Sequence, residues 1–62
     1  MTRDQQPMTP AEREDHARLA DRYAAEAAAE ANDQSRPAWQ RRLSGVSQQL
    51  WTDIAADRRA AA

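Results

Sequence analysis

Cysteine, lysine and phenylalanine are absent from the 62 residues, and glycine and histidine occur once each. Without cysteine there is no disulfide framework and no thiolate ligand set. His16 has no second histidine and no thiol to form a nucleophile–base pair or a metal site with. A single glycine, Gly45, rules out a glycine-rich phosphate loop. No run approaches the roughly 18 apolar residues that cross a bilayer. The start, Met1-Thr2-Arg3-Asp4-Gln5-Gln6, lacks the apolar centre of a signal peptide. Asp53 and Asp57, four apart, could share a divalent cation, but two carboxylates alone make a poor site. These absences predict a non-enzymatic, cytoplasmic chain without cofactor, metal or membrane.

Large apolar side chains are scarce as well. Hydrophobic residues make up 40%, yet 15 of those 25 are alanine. What remains is three Leu, one Ile, one Val, two Trp, one Tyr and two Met. Burying each such side chain contributes roughly 1.5–3 kcal/mol, against about 1–2 kcal/mol of backbone entropy for every residue ordered. A lone hairpin on that core is marginal, and self-association or a folding partner is the remedy.

The first eight residues show no periodicity and read as a flexible tail over 1–8. Thr9-Pro10-Ala11-Glu12 is a helix start, with Thr9 as cap, Pro10 in the first turn and Glu12 completing a capping box. Helix one is predicted over about 10–32, in alanine and straight-chain residues that favour the helix. Asn32-Asp33-Gln34-Ser35-Arg36-Pro37 breaks it, which puts a turn at 33–36. Helix two follows over about 37–59, and the hairpin unit occupies 9–62. The fold class is therefore all-α: an antiparallel two-helix hairpin, expected to dimerise into a four-helix bundle.

Trp39, Leu43, Val46, Leu50, Trp51 and Ile54 recur at helical spacing on helix two. Helix one offers a thin stripe of His16, Ala20, Tyr23, Ala27 and Ala31, flanked by Leu19 and Ala24. Folding about the break sets Ala31 against Trp39, Ala27 against Leu43 and Tyr23 against Val46. It also sets Ala20 against Leu50 and His16 against Ile54, so that small side chains face large ones. Trp51 lies about 80° round helix two from Leu43, on the flank away from Val46. One facing helix cannot cover both, so Trp51, beside Ser44, Ser47 and Ala55, is the expected intermolecular surface.

Charge divides unevenly. Seven acids face three Arg over Thr9–Gln34, a balance of −4, and five Arg face two Asp over Ser35–Ala62, a balance of +3. Folding brings Glu12 and Asp15 near Arg58 and Arg59, and Glu26 and Glu30 near Arg41 and Arg42. The sequence thus points to a small interaction module, self-associating or bound to a larger protein. Trp39, Leu43, Val46, Leu50, Trp51 and Ile54 would carry the contact, steered by Arg41, Arg42, Arg58 and Arg59. The alternative is a nucleic-acid-associated regulator touching phosphates through Arg36, Arg41 and Arg42. His16 is a further candidate, as a contact that weakens between pH 7 and 5.

Overall fold

The computed structural model describes residues 7–60. The expected tail over 1–8 lies outside them except for Pro7 and Met8, as does the end of the hairpin unit at 61–62. Two helices, α1 (Pro10–Ala31) and α2 (Ala38–Ala60), pack antiparallel, and no strand occurs among the described residues.

Local chemistry explains where each helix begins and ends. Thr9 accepts from the Glu12 N–H at 3.1 Å, and the Glu12 carboxylate accepts from the Thr9 N–H at 2.8 Å. Two of the four unpaired donors at the helix start are met in this way, with Pro10 supplying preset backbone angles. At the other end the Asn32 N–H returns to the Ala28 carbonyl at 3.1 Å. The connection closes with no left-handed residue. Asp33 does that work: its carboxylate accepts from the Ser35 N–H and hydroxyl and from Arg36 Nε, at 3.0, 2.6 and 3.2 Å. These bonds, Ser35's foremost, hold the Asp33 carboxyl below its ordinary range. The Pro37 carbonyl accepts from the Arg41 N–H and opens α2. Gly45 sits within an unbroken helix, with nothing near the place a side chain would occupy.

The seam between the helices is made of small groups. Ala17, Ala20 and Ala27 of α1 and Ser44 and Ala55 of α2 are its buried residues, and no large side chain among those described is fully buried. Trp51 and Ile54 pack partly buried against Ala17, Ala20 and Ala55. Methyl-sized groups let two backbones approach closely, so a large residue cannot occupy the middle of this seam.

That constraint corrects the register. The sequence places Tyr23 against Val46, whereas Tyr23 stacks on Trp51 with ring centroids 4.9 Å apart. Ser44 donates to Glu30 at 3.1 Å, and Arg58 Nε donates to His16 Nδ1 at 3.3 Å. All three pairs place α2 about one helical turn from the expected position. Its first turn therefore stands beyond the end of α1, and Trp39 has no α1 residue opposite.

The charged pairs also differ from expectation at several positions. Arg59 donates to Asp21 at 2.8 Å and to Glu14 at 3.3 Å, and Glu14 also receives Arg18. Hydrogen bonding to Arg59 holds the Glu14 and Asp21 carboxyls below their ordinary ranges, and the pair raises Arg59 in turn. Glu30 meets Ser44, while Arg41 donates to the Arg36 carbonyl at 3.2 Å. A carboxyl with a lowered folded-state pKa adds stability that is present above its unfolded value and lost as pH falls through the folded one. Helicity should accordingly hold through the neutral range and decline below about pH 4. Arg59→Gln should flatten that acid limb in a circular dichroism titration; an unaltered acid limb would show the cross-helix bridge to be idle.

Candidate functional surface

At 100° per residue, the inward line of α2 runs through Ser44, Trp51 and Ala55. Trp39, Leu43, Val46 and Leu50 fall on a second line roughly 120° round the helix. They are 58%, 58%, 69% and 55% exposed. The two faces are thus exchanged relative to the expected arrangement. Leu43, Val46 and Leu50, placed inward by volume, stand outside, and Trp51, placed outside with Ser44 and Ala55, closes the hairpin.

The physical cause is the small-residue seam. The residues that α1 buries against α2 are Ala17, Ala20 and Ala27. Ser44 and Ala55 match that spacing, which a row of Leu and Val would hold apart. The Trp51 ring slides to the edge, over Ala20 and against Tyr23, where an aromatic pair gains roughly 0.5–1.5 kcal/mol beyond its area.

A groove runs along that edge, lined by His16, Leu19, Tyr23, Trp51, Ile54 and Arg58. Leu19 and Tyr23 remain more than a third exposed there. Periodicity alone does not show their outward share, because both lie close to the α1 stripe; the line of Ala20 and Ala27 marks the true centre of the seam. Ile54, partly buried against the alanine cluster, lies between the two lines on the circumference of α2. The outer stripe and the groove together form one apolar surface along one side of the molecule.

The basic candidates separate. Arg58 and Arg59 turn back onto α1, to His16 and to Asp21 and Glu14. Arg36 is bound by Asp33 and Arg41 by the turn carbonyl, so Arg42 alone of the three projects from α2 as an exposed residue. Asp53 accepts from Gln49 at 2.9 Å and Asp57 from Arg58 at 3.1 Å. Among the described residues no three His, Cys, Asp or Glu side chains gather as a metal site, and no helix is long and apolar enough to cross a membrane.

Trp51 and Leu50 are neighbours in sequence with opposite structural roles. Trp51→Ala should lower stability by about 2 kcal/mol, short of the roughly 3–5 kcal/mol seen for fully buried aromatics. Leu50→Ala should stay within about 0.5 kcal/mol at low protein concentration. Thermal melts of the two variants check this, and the reverse ranking would restore the expected faces.

Set against protein-family models, curated proteins and solved structures, the chain matches none of them, so the apolar surface of α2 is read from its own residues alone.

Proposed function

We propose that the protein is a non-enzymatic docking module that presents the outer stripe of α2 to another protein surface. One observation carries this reading: the four large side chains at Trp39, Leu43, Val46 and Leu50 are all more than half exposed. A chain with so few large apolar groups leaves most of them outside its own core. Contiguous apolar area on the order of a few hundred Å² marks contact sites on other proteins. Leu43, Val46 and Leu50 form the centre of the contact, Trp39 and Ile54 its ends, and Trp51 supports it from beneath. Arg42 lies at the rim, while Arg58 and Arg59 hold the hairpin in register.

Photo-crosslinking in the producing cell tests the reading. A benzophenone side chain at Val46 should give a covalent protein adduct, and the same group at Arg22 on α1 should give none. Replacing Leu43 and Leu50 by Gln should remove the Val46 adduct. An absent adduct at Val46, or one indifferent to those replacements, would contradict a docking role.

A further inference from the structure

The spacing of the exposed stripe indicates what covers it. Trp39, Leu43, Val46 and Leu50 step by four, three and four, the rhythm of a coiled-coil seam. Read backwards, the steps are the same. Laid against itself antiparallel, with a two-fold axis between Ser44 and Gly45, the stripe pairs fully. Trp39 meets the partner's Leu50, Leu43 meets the partner's Val46, and the two reciprocal contacts complete four apolar layers. A surface that complements itself under a two-fold is what an isologous dimer requires.

Charge selects the same orientation. The first turn of α2 has no acidic residue, although the helix dipole places positive potential there, and Arg41 and Arg42 follow directly. The stripe ends at its other end in Asp53 and Asp57, which continue its spacing. In the antiparallel register Asp53 of each copy comes to the level of Arg36 and the α2 start of the other. Within its own chain that end has only Asp33, which binds Arg36; Asp53 of the second copy adds an acid beside Arg36, Arg41 and Arg42. A parallel pair would instead set Arg42 beside its own copy and Asp53 beside its own copy, repelling at both ends.

α1 does not obstruct this arrangement. Because the stripe stands roughly 120° from the seam, a second α2 approaches from the side away from α1. The two α1 helices, with their excess of acids, lie outside the central α2 pair. We propose that the occupant of the stripe is a second copy of this chain, docked α2 to α2 in this antiparallel register. The proposal rests on the docking reading and narrows it to one partner. Four layers bury on the order of a few hundred Å² per chain, less than the roughly 800 Å² per partner of a standard interface. The dimer is therefore concentration-dependent rather than permanent.

Sedimentation equilibrium on the whole chain should show the mass rising from 7.0 kDa toward twice that value through the micromolar range. Val46→Asp should raise the dissociation constant at least tenfold. Leu43→Gln with Leu50→Gln provides a second variant should the first lose helicity. Because the chain has no cysteine, Ala56→Cys carries a single spin label. Labels in the dimer should lie about 35 Å or more apart along the helix axis, from a 1.5 Å rise per residue. Labels well inside that separation would overturn the register. A mass of one chain up to millimolar concentration, or a dimer untouched by both stripe variants, would overturn self-docking. If the Val46 crosslink then joined a different protein, the docking reading would survive and this occupant would not.

Discussion

The close approach of two helices across alanine governs most of this structure. Ala17, Ala20 and Ala27 present nothing larger than a methyl group to α2, and Ser44 and Ala55 answer in kind. A seam that narrow gains from proximity and from the length of the contact, and it excludes any residue that would hold the backbones apart. Trp51 is accommodated only at the edge, tilted against Tyr23. Leu43, Val46 and Leu50 have no place inside and are turned outward. The hairpin thus keeps its small residues within and its large ones without, the reverse of the usual globular economy.

Electrostatics secures that arrangement without driving it. Arg59 joins Asp21 and Glu14, Arg58 reaches His16, and Ser44 meets Glu30 across the same seam. Every one of these contacts is exposed or partly so, where solvent screening leaves such a pair little to contribute. They fix one register among several that alanine would tolerate. At the C-terminal end of α2 Arg59 is taken up by acids of α1, and at its N-terminal end Asp33 binds Arg36 while Arg42 stays exposed.

Much of the fold could be read from the residues. Thr9-Pro10-Ala11-Glu12 forms the capping box that its spelling implies, and Asp33 and Ser35 build the break. Helix and turn chemistry is local, so sequence suffices for it. The rotation of α2 was not legible in the same way. Two lines run along that helix, one through Leu43, Val46 and Leu50 and one through Ser44, Trp51 and Ala55. Judging by volume puts the first line inside. Packing distance, which periodicity does not report, puts the second there. The register error has the same origin, since matching small to large across the helices moves α2 by a turn. The membership of the apolar surface was readable, but which part of it faces outward required the geometry.

Trp51, not Val46, lies against α1. Nuclear Overhauser contacts from the Tyr23 ring measure this most directly. Strong contacts to the Trp51 indole are expected, with the centroids 4.9 Å apart, and none to the Val46 methyls. Contacts from Tyr23 to Val46, with the Trp51 indole free of α1, would contradict it.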